Sequence, residues 1–345
     1  MHGPACGSRA GRGAPLRWLI LGDEWPSRDA VGGVATWTAA TAGALVDAGH
    51  HVTVHVRARP HLLAVPGVDL RPVRGPSFAR FGAWWTSFAV DLRGADAVLA
   101  ATWPVAARLV GRCPLHVVYH GSDLTRPPRD PAAFAAVSGA AHRWAVSRYL
   151  ADLAAARGYP TRVAPIPLDP RDTLTHTHLD RLIHISRATP LKGGDRFVRL
   201  VHALDLDGVV VGDGPELPAW RALAARLGAR IRFTGWLPPA AVAAEIAAAQ
   251  LLALLPRALP DGSGAEGLGL VALEAAAAGV PSVGCATGGV PEAVGLVLDD
   301  PDDPIASARA IRAWWRPERG TAARADLHIR HGRVKWASAL ATLRD

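Results

Sequence analysis

The run Asp261-Gly-Ser-Gly-Ala-Glu266-Gly-Leu-Gly-Leu270-Val-Ala-Leu-Glu274-Ala-Ala-Ala-Ala-Gly279-Val-Pro-Ser-Val-Gly-Cys285-Ala-Thr-Gly288-Gly-Val-Pro-Glu292 reads as a glycine loop, an alanine-rich helix, a short strand and a second glycine turn. Glycines let backbone amides come close to a ligand, and a helix beginning at about Leu268 offers unpaired N–H groups and the positive end of its dipole. Alanine in the helix interior makes the element rigid. Glu266 falls in the loop and Glu274 within the first turns of the helix, so the two carboxylates have different tasks. Glu266 is placed to accept hydrogen bonds from hydroxyls of whatever sits at the helix start.

Working outward, the second half of the chain alternates strands and helices. Arg181–Ile185 reads as a strand, 186–194 as a loop carrying Arg187 and Lys192, and 195–204 as a helix. The pattern repeats with a strand at 208–211 entering Gly212, a helix to Leu227, a strand at 230–233, a helix at 240–249 and a strand at 251–255 that delivers the glycine loop. The first half begins likewise. A buried strand at 17–21 leads through a loop ending in Gly32-Gly33 to a helix at 34–48, then an alternating strand at 51–56. Further strands are expected at 96–100 and 115–119. Such repeats predict parallel sheets, with ligands at the carboxyl ends of the strands. The Gly32-Gly33 pair lacks the three-glycine dinucleotide spacing, and His55-Val56-Arg57 end the second strand without an acidic residue, which argues against a dehydrogenase.

His120 follows the expected strand at 115–119 and precedes Gly121, a position where such sheets place chemistry. Asp123 either contacts an acceptor or caps the next segment. From Ser77, the spacing of Phe78, Phe81, Trp84 or Trp85, Phe88 and Leu92 is helical. It is read as an aromatic core stripe, with contact to a membrane surface as the alternative.

The ordered agreement across Glu266, Glu274, Gly279-Val280-Pro281 and Gly288-Gly289-Val290-Pro291-Glu292 resembles the nucleotide-binding signature of retaining glycosyltransferases of family four, the group 1 enzymes that include glycogen-synthase-like and mannosyltransferase-like members. The resemblance implies an α/β chain of GT-B architecture, two Rossmann-like doubly wound parallel-sheet domains facing a cleft. It divides the sequence into a disordered lead-in (1–15), an N-terminal acceptor domain (16–165), a proline-rich linker (166–178), a donor-nucleotide domain (179–330) and a C-terminal helix (331–345) crossing back. It also implies transfer of a sugar from a nucleoside-diphosphate sugar to an acceptor hydroxyl, with retained configuration and no metal or other cofactor. Arg187 and Lys192 would offset the diphosphate charge as it leaves, Glu266 would accept from donor-sugar hydroxyls, and His120 would contact the donor sugar near the reacting carbon. Glu274 would hold the ribose, with Gly32, Gly33, Gly212, Gly267, Leu268 and Gly269 completing the donor-binding set.

Composition bounds these expectations. With 50% hydrophobic and 20% charged residues in 345, the chain builds two compact cores rather than a disordered polymer. Cys6, Cys113 and Cys285 are odd in number and far apart, so neither a disulfide framework nor a zinc site is encoded, and a cytoplasmic setting fits best. The run 18–21 is too short for a signal-peptide core or a membrane span. The net charge of +8 resides wholly in the first 163 residues, which hold 18 of 38 basic and 10 of 30 acidic residues. That surplus points to an anionic acceptor or peripheral contact with an anionic membrane, while no nucleic-acid recognition motif is present. The surplus admits as acceptor an anionic lipid or glycan precursor, a phosphorylated small molecule, or a neutral small-molecule natural product to which the charge is unrelated. Two rival readings share the carboxylates. A glycoside hydrolase needs them about 5–9.5 Å apart, whereas eight residues along one helix span about 12 Å. A non-catalytic sugar-nucleotide-binding protein would need the diphosphate cradle without His120.

Overall fold

The computed structural model of the chain describes residues 14–28, 32–73, 91–107, 109–164, 166–168, 170, 176, 178–259, 264–332 and 336. The aromatic stripe at 78–88 lies outside them, as does the C-terminal helix expected at 331–345 apart from His331, Gly332 and Trp336. The chain divides into two compact units. One extends to Pro167 and takes in Trp336, and the other spans Leu168–Gly332.

In the first unit the strands are β1 (Arg17–Gly22), β2 (His51–Arg57), β3 (Val68–Val73), β4 (Ala97–Ala100), β5 (Leu115–Tyr119), β6 (His142–Ala145) and β7 (Arg162–Val163). The helices are α1 (Gly33–Asp47), α2 (Trp103–Ala106), α3 (Ser122–Thr125), α4 (Pro131–Ala140) and α5 (Arg148–Ala155). The sheet order is β3-β2-β1-β4-β5-β6-β7, parallel throughout. Central strands are continuous apolar runs because both faces are covered: β4 and β5 are buried at every position, and β1 at every position after Arg17. At the edge, β3 carries Pro72 and has no fully buried residue, as an edge strand tolerates. Its weak apolar signal is why the sequence pattern does not reveal it.

The second unit repeats the plan with β8 (Arg181–Ile185), β9 (Asp207–Val211), β10 (Ile231–Gly235), β11 (Leu251–Leu254), β12 (Ser282–Cys285) and β13 (Leu296–Leu298). Its helices are α6 (Gly194–Leu204), α7 (Leu217–Leu227), α8 (Pro239–Ala247), α9 (Leu270–Ala277), α10 (Pro304–Trp314) and α11 (Glu318–His331). The order β10-β9-β8-β11-β12-β13 is again parallel. On α6, Phe197, Val198, Leu200, Val201 and Leu204 recur at helical spacing and are all buried against the sheet and α7. Burying a side chain such as Phe197 or Leu204 contributes about 1.5–3 kcal/mol. Helix α11 packs on α9 with only Gly320 and Leu327 buried, too sparse an apolar pattern to be visible in the sequence. Ile166 and Leu168, within the expected linker, are buried, and the Leu168 N–H donates to the His331 carbonyl at the end of α11.

Both sheets reverse their strand order beside the first strand, between β1 and β4 and between β8 and β11. Crevices at such reversals are where open α/β sheets hold ligands.

Candidate active site

In the second unit the reversal is flanked by the segments leaving β8 and β11. After β8 the chain is pinned to the turn after β9: the Ser186 N–H donates to the Val211 carbonyl at 3.1 Å and the Ala188 N–H to the Asp213 carbonyl at 2.9 Å. A short 3-10 turn, Pro190–Lys192, follows. Arg187 is exposed at the start of this loop and Lys192 partly buried at its end, with 27% of its side chain accessible. Gly212 serves this loop rather than offering a free amide. Its N–H is engaged by the Gly235 carbonyl at 2.8 Å, and a side chain there would collide with the Ser186 carbonyl.

Beneath the loop is a residue that sequence reasoning missed. His184, in the middle of β8, is fully buried, with Nδ1 3.1 Å from the Ala253 carbonyl and Nε2 2.8 Å from the Ser186 hydroxyl. A carbonyl only accepts, so Nδ1–H donates and Nε2 accepts from Ser186, which assigns the tautomer. Burial, abetted by the Lys192 charge, pushes its pKa down to about 4. The available signal was a histidine inside an otherwise apolar central strand.

The segment after β11 brings Glu266 to Lys192: Nζ and Oε2 are 2.5 Å apart, and the Glu266 side chain is 16% accessible. The two residues expected to act separately, one on diphosphate and one on sugar hydroxyls, form an ion pair. The Glu266 carbonyl accepts from the Gly289 N–H at 2.9 Å, which locks the second glycine turn onto the first. Helix α9 begins at Leu270, two residues later than expected, because Gly269 adopts a left-handed conformation (φ +93°) as its N-cap. Gly267 and Leu268 therefore stand in the loop, and Glu274 is half-buried in the helix. Since Glu266 precedes the helix, rise along an axis does not set the separation of the two carboxylates.

Four more charges surround this cradle: Arg257 with Asp195, and Arg196 with Asp302. Burial raises the Asp195 pKa, but the Arg257 fork outweighs it and holds the carboxyl below its ordinary value. Their partnerships span up to 106 positions, beyond what periodicity can reveal.

In the first unit, His120 follows β5 as expected. Its ring meets Trp37 of α1 edge-on at 4.9 Å, and it bonds the Ala101 carbonyl, while Nε2 is buried without a hydrogen-bond partner among the described residues. The Asp123 carboxylate accepts from the N–H groups of Gly121 (2.7 Å) and His120 (3.1 Å), so it holds the His120 loop and does not stand free for an acceptor. Burial pushes Asp123 up to about 6 against those hydrogen bonds. Gly32 caps α1, Gly33 is its first residue, and a side chain at Gly32 would sit 2.8 Å from a Glu24 carboxylate oxygen. An acidic group thus already stands beside that glycine. Burial first, then the neighbouring Asp23, raises the Glu24 pKa against the pull of Arg59.

Burial also lowers His120 to about 4. The stability this neutral ring contributes is fully present above about 6.5, where histidine of the unfolded chain is neutral too. It is lost as pH falls from there toward 4. Asp123 acts in the opposite sense, its cost being relieved as pH falls below about 6. In an imidazole NMR titration His120 is expected to stay neutral through pH 5, and a midpoint at 6 or above would contradict this burial.

Two family models match the chain: Glycosyltransferase Family 4 over residues 31–170 and Glycosyl transferases group 1 over residues 180–316. The 2-deoxystreptamine glucosyltransferase of Streptomyces kanamyceticus is 30% identical over 286 residues, covering 66% of this chain and 72% of the relative. A GDP-mannose-dependent alpha-(1-6)-phosphatidylinositol monomannoside mannosyltransferase of Mycobacterium tuberculosis is 35% identical over 167 residues, covering 39% of this chain and 43% of the relative. The chain therefore spans less than half the length of that mannosyltransferase. Among solved structures, Anabaena HepE in complex with UDP and glucose superposes with a TM-score of 0.73 at 20% identity, over 95% of this chain and 98% of that one. This is a likeness of fold. No helix among the described residues is long and apolar enough to cross a membrane. With both sheets in Rossmann-like order and both halves matched, the chain belongs to the group 1, family 4 glycosyltransferases and has their GT-B fold.

Proposed function

We propose that this protein moves a sugar from a nucleoside-diphosphate sugar to an acceptor hydroxyl, with retained configuration and without a metal. The observation that carries the reading is the Lys192–Glu266 pair, 2.5 Å apart beside two interlocked glycine turns at the strand-order reversal of the second sheet. Arg187 and Lys192 stabilise the departing diphosphate, Glu274 accepts from the ribose, and Glu266 accepts from the donor sugar once the sugar displaces it from Lys192. His120 serves the donor sugar near the reacting carbon, as a neutral hydrogen-bonding ring. Attack occurs on the face the leaving group departs from, and a phosphate oxygen takes the acceptor proton. The acceptor is a small-molecule natural product or a lipid or glycan precursor.

A thermal-shift screen with UDP-, GDP-, ADP- and dTDP-sugars identifies the donor. GDP- and UDP-sugars come first, because the mannosyltransferase relatives are named for GDP-mannose and the HepE structure holds UDP. Acceptor-dependent release of the nucleoside diphosphate, unchanged by EDTA, is then expected across an acceptor panel. Stabilisation by a donor with no release for any acceptor would instead mark a binding protein, and release of free sugar with no acceptor would mark a hydrolase.

A further inference from the structure

Arg257 stands three residues beyond β11, on the segment that runs toward Glu266. Its main-chain N–H donates to the Leu191 carbonyl at 2.8 Å, one residue before Lys192. Its guanidinium forks onto both carboxylate oxygens of Asp195, at 2.6 and 2.7 Å, three residues after Lys192. One residue thus grips the Lys192 turn on both sides. Between the grips, Gly193 approaches so closely that a side chain there would lie 1.9 Å from the Leu255 carbonyl oxygen.

A second fork lies beneath. Arg196 donates to the Pro256 carbonyl at 2.8 Å and to both oxygens of Asp302, at 2.7 and 2.5 Å. The two arginines and two aspartates cancel in charge, so the cluster adds little net field to an anionic ligand. Its value lies in geometry: planar forks fix direction as well as distance. Beyond Arg257 the chain closes by a Leu259 N–H to Gly264 carbonyl bond at 3.4 Å and arrives at Glu266. The Lys192 side of the Lys192–Glu266 pair therefore takes its position from the Arg257 segment.

We infer that Arg257 is a positioning residue, whose fork on Asp195 sets the Lys192 ammonium in register for the diphosphate of the donor. The inference rests on the proposed reading of the site as a diphosphate cradle. Arg257 and Asp195 are partly exposed, with 29% and 34% of their side chains accessible, so breaking this bidentate, networked pair costs more than losing an isolated surface pair but less than losing a fully buried one. Removing the fork is expected to leave the fold intact and loosen the turn.

The test is a double-mutant cycle read by titration calorimetry with UDP and GDP, alongside UMP and GMP. Arg257→Met is expected to weaken binding of the diphosphate by about tenfold, within the range of coupling between residues of one charge network. Arg257→Lys keeps the charge but loses the fork, and is expected to recover only part of that loss. The monophosphates are expected to change less than twofold. In a Lys192→Ala background the Arg257→Met change is expected to have no further effect, because the residue it positions is gone. Equal losses from Arg257→Met with and without Lys192 would overturn the inference while leaving the cradle standing, as would full affinity in Arg257→Met. Failure of the parent protein to bind either diphosphate would overturn the cradle and the inference together. Circular dichroism and melting curves of Arg257→Met and Arg257→Lys accompany the cycle, so that a folding defect in the methionine variant is told apart from a lost position.

Discussion

Lys192→Ala is expected to lower turnover by about 10²–10³-fold, the usual consequence of removing one well-placed group that stabilises developing charge. The departing diphosphate gains charge in the transition state, so the loss falls mainly on kcat and less on donor affinity. A second effect accompanies the first: Glu266, with 16% of its side chain accessible, loses the ammonium 2.5 Å away. A carboxylate left unpaired in a partly buried place destabilises its surroundings and could mimic a catalytic defect. The double variant Lys192→Ala/Glu266→Gln removes that stranded charge. If Lys192 acts on the leaving group, the double variant is at least as slow as the single one, because Glu266→Gln also weakens the proposed contact to the donor sugar. Recovery of activity in the double variant would mean that the single substitution failed because it stranded Glu266. Steady-state release of nucleoside diphosphate measures both, and a Lys192→Ala enzyme within threefold of the parent would remove Lys192 from the proposed chemistry.

The pairing of these two residues marks where sequence reading stops. The alternation of apolar runs with glycine breaks announces both sheets, since central parallel strands such as β4 and β11 are apolar along their whole length. The glycine loop, Glu266 and Glu274 were legible for the same reason, as a local pattern on contiguous residues. Lys192 and Glu266 are 74 positions apart, and nothing local says that one ends beside the other. Their contact follows from the strand order, which sets β8 beside β11 and brings their carboxyl ends together. Asp123 was ambiguous in sequence because a short acidic side chain after a strand serves a ligand or its own backbone equally well. Burial of the loop and two nearby N–H groups decided for the backbone. His184 and Arg257 are illegible in sequence for a related reason: each looks like an isolated polar residue until its partners arrive from another crossover.

Gly288→Ala is expected to damage both stability and donor binding, and its comparison with Gly228→Ala isolates the cause. Both positions are left-handed, with φ of +58° and +67°, so alanine costs about 1–2 kcal/mol of backbone strain at either one. A side chain at Gly228 meets nothing within 4 Å, whereas one at Gly288 would lie 2.1 Å from the Glu266 carbonyl oxygen. Because the obstacle is backbone rather than a flexible side chain, the turn has to move, adding an overpacking cost of about 1–3 kcal/mol. The combined loss lowers the unfolding temperature by roughly 5–15 °C for a unit of this size. Moving the turn also breaks the Gly289 N–H bond to the Glu266 carbonyl, which holds the carboxylate segment in place. Donor binding is therefore expected to fall in Gly288→Ala well beyond its loss of stability, while Gly228→Ala melts slightly lower and binds donor normally. Melting curves and donor titrations of the two variants check this. If Gly288→Ala melts and binds like Gly228→Ala, the two glycine turns are not locked to one another, and the placement of Glu266 has another source.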